Sequence, residues 1–315
     1  MRAVWLRRLL VVPAALVLDS LALGLGERES LAKDYERILH FAEEILWTDT
    51  IFGGIRFAMA GAALPFLAGR AVRLALGDFG SEAVAGAACV GLGHMRERAV
   101  ASAAALEQEG PGGGAAPGDV SPARAAVESI ATSFAQDVCG SLLYLNVAGA
   151  DGLLAYAAAK AIGARAKHAE PSNARFGVVP GGLGIALGWL PSRAGALAVC
   201  AAAQAPTLTL YAKARRDAMA HPSPNAGIVL AAFAHALGIG LGADTVPGPG
   251  PSRYRVGTQV AAATVDIRRA LALAERAAVL MAFWLMAADA GLWLLAQRRP
   301  RVCAGRPPAR RPSPP

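Results

Sequence analysis

The feature that most limits how this chain can fold is a series of long apolar stretches that recur along its length. Each has at least 18 residues and at most one formally charged side chain. They occupy residues 9–26, 51–69, 138–159, 194–212, 226–243 and 277–297. A helix that crosses a bilayer needs about 20 predominantly apolar residues. One such stretch also suits a buried helix of a soluble protein, but six in one chain favour an all-α, polytopic membrane bundle.

The composition is consistent with closely packed membrane helices. Only 17% of the 315 residues are charged and 6% are aromatic, whereas 35 are glycine. Soluble globular proteins carry about 25% charged residues, and small residues are enriched where membrane helices pack together. Two alternatives stay open at this stage. One is a large soluble helical protein, and the other is a cleaved signal peptide formed by Arg2, Arg7, Arg8 and the apolar run 9–18.

The net charge of +8 is concentrated at one end of the chain. Residues 298–315 contain six arginines and no acid, so the rest of the chain carries only +2. This distribution excludes a protein with a broad basic face for nucleic acid. The arginines at both ends predict that both termini are cytoplasmic, which requires an even number of spans. We expect residues 1–297 to form a single membrane domain and 298–315 to form a disordered tail rich in arginine and proline.

Between the apolar stretches the sequence predicts polar loops and one amphipathic helix. Residues 27–50 contain seven acids and three bases, and an apolar stripe recurs there at helical spacing. Residues 110–118, rich in glycine and proline, cannot hold a regular helix and predict a linker. The apolar stretch 176–192 is interrupted by proline and glycine, so we expect it to be loop-like or re-entrant. The amphipathic stripe consists of Leu31, Tyr35, Ile38, Ala42 and Ile45.

The most informative polar segment is 215–227. It places an imidazole, a hydroxyl and a carboxamide, from His221, Ser223 and Asn225, beside three charged residues and just before an apolar helix. Backbone N–H groups at such a helix start can bind an anion. The alternative is that the Ser-Pro-Asn sequence does no more than cap the helix that follows.

This segment carries a resemblance to a known family. The sequence His-Pro-Ser-Pro-Asn-Ala-Gly at 221–227, the Gly-rich run 236–242 and the helix 124–131 resemble motifs of the CobD/CbiB family. Its members are integral membrane adenosylcobinamide-phosphate synthases of cobalamin biosynthesis. The resemblance implies a ligase of the cell (inner) membrane that joins adenosylcobyric acid to aminopropanol, or its phosphate, by an amide bond.

The resemblance also implies partners and co-substrates. The expected partners are the corrinoid substrate, aminopropanol phosphate, the lipid bilayer and other proteins of the corrinoid pathway, without nucleic acid. Amide formation of this type implies Mg²⁺ and ATP, while the residues that would hold a metal remain unassigned. Mg²⁺ prefers oxygen ligands, typically carboxylates together with phosphate.

The matched motifs and the local charge define eight candidate site residues. Glu128, Asp137 and Asp217 are the candidate catalytic residues, with Glu128 or Asp137 holding a metal or orienting the amine. His221, Ser223 and Asn225 are expected to bind a phosphate or a corrinoid amide. Lys160 and Lys167 lie in a segment, 160–175, with a net charge of +3. That segment either attracts an anionic substrate or is a cytoplasmic loop of the positive-inside type.

Several family positions have lost their carboxylates and amides. Thr132 and Ser133 stand where the family has Glu-Asn, and Gly184 and Ile185 replace paired aspartates. Asp137 lies one position from a carboxylate of the family pattern. These losses motivate a second hypothesis, a catalytically impaired paralogue that serves the corrinoid pathway as a membrane scaffold or subunit.

Overall fold

The fold is known from a computed structural model that describes residues 2–21, 27–109, 121–168, 174–242 and 254–298. The predicted linker 110–118 and the tail beyond residue 298 lie outside these ranges. The described part is helical apart from one short ribbon, so the predicted all-α class is confirmed. The helices are α1 Arg2–Leu21, α2 Glu27–Leu46, α3 Ile51–Cys89, α4 Leu92–Glu109, α5 Pro122–Ser133, α6 Gly140–His168, α7 Ala174–Ala202, α8 Thr207–Asp217, α9 Pro224–Leu237 and α10 Thr264–Arg298. Strands β1 Gly240–Leu241 and β2 Val256–Gly257 pair antiparallel.

Four helical ranges are long and apolar enough to cross a membrane. They are Ile51–Gln108, Pro122–Arg165, Arg175–Ala202 and Thr264–Gln297. Together they support a multi-pass membrane protein. The other predicted spans were wrong in extent. The stretch 194–212 is divided by a turn after Ala202, α9 has only 14 residues, and the apolar helix found in the described part of 9–26 is only Leu10–Asp19. The stretch 138–159 lies in a candidate range but is broken at Gly149.

The stretch 176–192 is helical, which contradicts the predicted loop or re-entrant segment. It lies inside α7, which runs through both Pro180 and Pro191. A proline in a helix removes one backbone hydrogen bond, and packing in a membrane bundle can compensate for that loss. Pro180 contacts α3, where its ring approaches Gly54. Tertiary packing therefore outweighs the local preference of these residues.

Helix α3 and helix α6 are each broken at a glycine with a positive φ. Gly77 has φ 70° and Gly149 has φ 65°, values that glycine adopts without the steric cost that other residues meet. Beyond Gly149 the chain folds back, since the rings of Tyr144 and Tyr156 stack with centroids 4.6 Å apart. Helix α6 is therefore a helical hairpin with arms 140–148 and 150–168.

Two apolar cores hold the helices together. The larger one joins α5, α7, α9 and α10, and includes an edge-to-face contact between Phe134 and Phe233 with centroids 5.9 Å apart. The smaller one joins α2, α3, α6 and α7 around Phe57 and Phe176. Burial of aromatic side chains is a major source of stability in such cores.

The amphipathic helix predicted for 27–50 is confirmed as α2, but its buried face differs from the predicted stripe. Tyr35, Leu39 and Ala42 pack on the smaller core, whereas Ile38 and Ile45 are exposed. The side chain of Leu31 lies outside the described residues. The Tyr35 hydroxyl donates to the carbonyl of Gly61 at 2.7 Å, and burial raises the pKa of Tyr35 to about 12.

Candidate functional site

A cavity of about 300 Å³, with polar side chains set among apolar ones in its wall, lies where the α6 hairpin, α7 and the start of α9 meet. Its volume is at the lower end of the range for small-molecule sites, about 300–1,000 Å³. Four of the eight predicted site residues line it, namely Lys160, His221, Ser223 and Asn225. The other polar side chains of the wall belong to Thr132, Gln136, Tyr156 and Ser192.

The segment 221–223 is folded tightly onto the first turn of α9. Ser223 is the N-cap, its hydroxyl accepts from the N–H of Ala226 at 3.4 Å, and Pro224 occupies the first helical turn. Gly227 permits this arrangement, since a Cβ there would lie 2.6 Å from the Cβ of His221. Ser223 thus caps the helix, as the alternative interpretation expected, and also faces the cavity.

His221 is held by the backbone of its own turn. The N–H of Ser223 donates to Nδ1 of His221 at 2.8 Å, and the edge of the His221 ring meets the ring of Tyr254. Burial lowers the pKa of His221 below its ordinary value, and the carbonyl of Ser223, 2.9 Å from Nδ1, opposes that shift. The N–H contact requires Nδ1 to accept and the carbonyl contact requires Nδ1 to donate, so each tautomer of the ring satisfies one of the two.

Asn225 joins α7 to α9 through both ends of its carboxamide. Its Nδ2 donates to the carbonyl of Ile185 at 2.8 Å, and its Oδ1 accepts from Arg193 at 3.2 Å. The guanidinium of Arg193 lies 4.2 Å from the ring centroid of Trp189. Asn225 therefore serves as a cross-link between two helices as well as a polar wall of the cavity.

Lys160 and Asp137 form an ion pair at the cavity. Asp137 lies in a π-helical segment, Phe134–Cys139, that precedes α6. Such segments hold an extra residue relative to an α-helix and occur frequently at functional sites. The segment turns Asp137 toward the returning arm of α6, which carries Lys160. Both side chains are about one-third exposed, so a ligand can reach either charge.

Glu128 and Asp217 lie away from this cavity and hold the β-ribbon. Oε1 of Glu128 accepts from the N–H of Gly242 at 2.7 Å. Oδ2 of Asp217 lies 2.8 Å from Nε2 of His235 and accepts from the N–H of Gly257 at 3.2 Å. The side chain of Lys167, in the last turn of α6, lies outside the described residues.

Tyr254 connects Glu128 with the cavity. Its ring contacts His221 with centroids 4.2 Å apart. Burial raises the pKa of Tyr254, the Glu128 carboxylate adds to this rise, and Arg124 opposes it. Tyr254 thus lies between Glu128 and His221.

Sequence reasoning did not select Tyr156 or Gln136 as site residues. The hydroxyl of Tyr156 donates to the carbonyl of Gln136 at 3.0 Å, across the α6 hairpin. The break at Gly149 brings these residues together, and a glycine inside an apolar stretch does not by itself mark a reversal of the chain.

The described residues contain no group of three or more His, Cys, Asp or Glu side chains arranged to hold a metal ion. Among the predicted carboxylates, Asp137 is the one that reaches the cavity, and it does so only through its ion pair with Lys160, which lines the wall.

A known protein family matches part of the chain. The family model described as CobD/Cbib protein matches residues 120–274, the part of the chain that contains the cavity and the ribbon. No curated protein and no solved structure matches the chain.

Proposed function

We propose, from the match of residues 120–274 to the CobD/CbiB family of cobalamin biosynthesis, that the chain joins aminopropanol phosphate to adenosylcobyric acid. In this reaction the amine nitrogen forms a bond to an activated carboxyl carbon, one carboxyl oxygen leaves and the amine gives up a proton. Aminopropanol itself is the other candidate amine. The protein would work in the cell membrane, with other corrinoid-pathway proteins as partners.

The observation that carries the proposal is the ion pair that Lys160, a residue of the cavity wall, forms with Asp137 next to it. Aminopropanol phosphate carries a negative phosphate and a positive ammonium group. Its phosphate would pair with Lys160, and its ammonium with Asp137. When this substrate binds, its phosphate takes the place of Asp137 beside Lys160, and its ammonium group takes the place of Lys160 beside Asp137. Neither side-chain charge is then left without a partner.

The other polar groups of the cavity wall are suited to binding the phosphate. The hydroxyl of Ser223 is a donor for phosphate oxygens, and Nε2 of His221 is a second one in the tautomer that carries its proton there. The carboxamide of Asn225 holds α7 and α9 together. Asp137 is suited to accept the proton that the amine releases. Charge-assisted hydrogen bonds of this kind are stronger than neutral ones.

The size of the cavity limits what enters it. A volume of about 300 Å³ takes a small amino alcohol phosphate but not a corrin ring with its side chains. The corrinoid would therefore present only its reacting carboxylate, with the ring outside the cavity mouth.

The residues at the cavity do not fit a Mg²⁺ ion held by the protein. Mg²⁺ needs oxygen ligands in octahedral geometry, and the described residues offer no cluster of three candidate ligands. We therefore assign no step to a metal. ATP is the co-substrate implied for activation of the carboxylate, and no residue of this chain is assigned to it.

The ion pair between Lys160 and Asp137 also favours a second candidate. This is a paralogue impaired in catalysis that acts as a scaffold or subunit of the corrinoid pathway. Its support is that Asp137 is committed to Lys160, while Glu128 and Asp217 hold the ribbon. In this case the cavity would bind ligand without turnover.

The deciding experiment incubates the purified full chain, in detergent, with adenosylcobyric acid, aminopropanol phosphate, ATP and Mg²⁺. Mass spectrometry then detects the amide product. Product formation that is lost in Asp137→Asn supports the synthase. Binding of aminopropanol phosphate without product supports the scaffold, and absence of both product and binding overturns both candidates.

A further inference from the structure

A second cavity, larger than the first, lies between α7, α8 and α9. Its volume is about 540 Å³. Arg193, which lines it, reaches through to Asn225 on the wall of the first cavity. The hydrogen bond between Arg193 and Asn225 thus lies between the two cavities. The wall residues of the second cavity are Trp189, Arg193, Tyr211, Arg215, Ala218, Met219, Pro224 and Ile228.

The charge of this second cavity is positive. It is lined by two guanidinium groups, from Arg193 and Arg215, and by no carboxylate. The described ion pairs include neither arginine, and the hydrogen bonds of Arg193 go to the neutral oxygens of Trp189 and Asn225. Asp217, the acid next to them in the chain, is turned to His235 and the ribbon. Two arginines without a nearby counter-charge favour an anionic ligand.

The rest of the wall is apolar and aromatic. Trp189 is 51% exposed and Met219 is 86% exposed, and Tyr211, Pro224 and Ile228 complete this side of the wall. Large apolar side chains exposed next to a charged site indicate a ligand or a surface that covers them. The ligand expected here combines an anionic group with an apolar body.

The position of the second cavity along α7 favours a lipid. Exposed apolar side chains follow the candidate span from Val178 through Ile185 to Leu190. Arg193 comes one turn later, and beyond it α7 packs in the larger core up to Ala202, so Arg193 lies where the exposed part of this helix ends. Tryptophan is enriched at the membrane–water interface, and basic pockets at the ends of spans attract anionic headgroups.

We propose that this second cavity binds the phosphate of an anionic phospholipid. Arg193 and Arg215 hold the phosphate oxygens, and the acyl chains run along the exposed face of α7 past Trp189 and Leu190. This site is separate from the one proposed for aminopropanol phosphate, and its test does not depend on catalysis.

The experiment measures lipid binding to the purified full chain in neutral detergent by native mass spectrometry. Dioctanoyl phosphatidylglycerol is the probe, zwitterionic dioctanoyl phosphatidylcholine, with no net charge, is the comparison, and inorganic phosphate tests the headgroup alone. We expect phosphatidylglycerol to bind about tenfold more tightly than phosphatidylcholine, and Arg215→Gln to remove about that advantage. Arg216→Gln is the matched control, because Arg216 neighbours Arg215 on α8 but does not line the cavity.

A further variant separates binding from folding. Arg215→Lys keeps the positive charge, so it should retain the preference for phosphatidylglycerol while Arg215→Gln loses it. Equal binding of the two lipids overturns the proposal, as does an equal loss in Arg215→Gln and Arg216→Gln. Inorganic phosphate that binds as tightly as phosphatidylglycerol would assign the site to free phosphate and overturn the lipid assignment.

Discussion

At the scale of single residues, the pair formed by Lys160 and Asp137 carries most of the chemistry proposed for the chain. The Lys160→Met variant should weaken binding of aminopropanol phosphate by about tenfold or more, because the phosphate loses a charge-assisted contact. Calorimetric titration of the purified variants measures the affinity. Lys213→Met is the matched control, since Lys213 is exposed on α8.

The loss of Lys160 also leaves Asp137 without its partner, which can affect folding. The double variant Lys160→Met with Asp137→Asn removes both charges and should restore the thermal stability without restoring affinity. Unchanged affinity in Lys160→Met, with the Lys213→Met control behaving like wild type, would remove Lys160 from the binding site.

His221 gives a prediction about pH. Burial lowers its pKa in the folded state, so the folded protein favours the neutral ring, whereas the unfolded chain takes up a proton near pH 6.5. Its contribution to stability is therefore present above about pH 6.5 and is lost as the pH falls through the lowered pKa. We expect the melting temperature of wild type to fall faster than that of His221→Gln over this acidic range. Parallel melting curves for the two proteins would contradict this role for His221.

At the scale of elements, the sequence predicts helix starts better than helix interiors. The Ser-Pro pairs at 121–122 and 223–224 predict the beginnings of α5 and α9, and both helices begin there. Breaks and reversals inside a helix are harder to predict, because they depend on contacts between residues that are far apart in the sequence. The reversal at Gly149 is stabilised by Tyr144 and Tyr156, which no local pattern brings together.

The distinction between local sequence patterns and distant contacts also applies to the candidate site. His221, Ser223 and Asn225 were found because they lie in one short motif, and Lys160 was found by its charge. Tyr156 and Gln136 meet only through the α6 hairpin, so local patterns could not select them. Glu128 and Asp217 were selected by motif as well, but each carboxylate accepts a backbone N–H of the ribbon region.

The break in α6 can be tested by substitution at Gly149. An alanine there would meet the steric cost of a positive φ, about 1–2 kcal/mol, and its Cβ would lie 2.8 Å from Oε1 of Glu82. We expect Gly149→Ala to lower the melting temperature in detergent and to reduce binding of aminopropanol phosphate, since the hairpin positions Lys160. Gly182→Ala is the control, because a Cβ at Gly182 meets nothing within 4 Å. A melting temperature at or above that of wild type would contradict the strained geometry at Gly149.

At the scale of the whole molecule, the apolar side chains lie in two environments, the buried core and the exposed surface of helices. Helix α9 is almost entirely buried, and α5 buries its apolar face in the same core. The first arm of α3, residues 51–76, instead exposes large apolar side chains such as Phe52, Met59 and Leu67. An apolar helix whose large side chains face outward is stable only where lipid or a partner covers them, and the length of this arm suits a bilayer.

This division gives a prediction that distinguishes lipid from water around the molecule. Leu67 is 63% exposed in the first arm of α3, and Leu208 is 78% exposed on α8, outside the four candidate spans. Arginine at a lipid-facing position near the centre of a span costs about 2.5–3.5 kcal/mol, whereas arginine at a water-facing position costs little. Leu67→Arg should therefore reduce the amount of protein that remains in the membrane after alkaline extraction, and Leu208→Arg should not. Equal retention of both variants would place the exposed face of α3 in water, and the apolar residues there would then have to be covered by another protein.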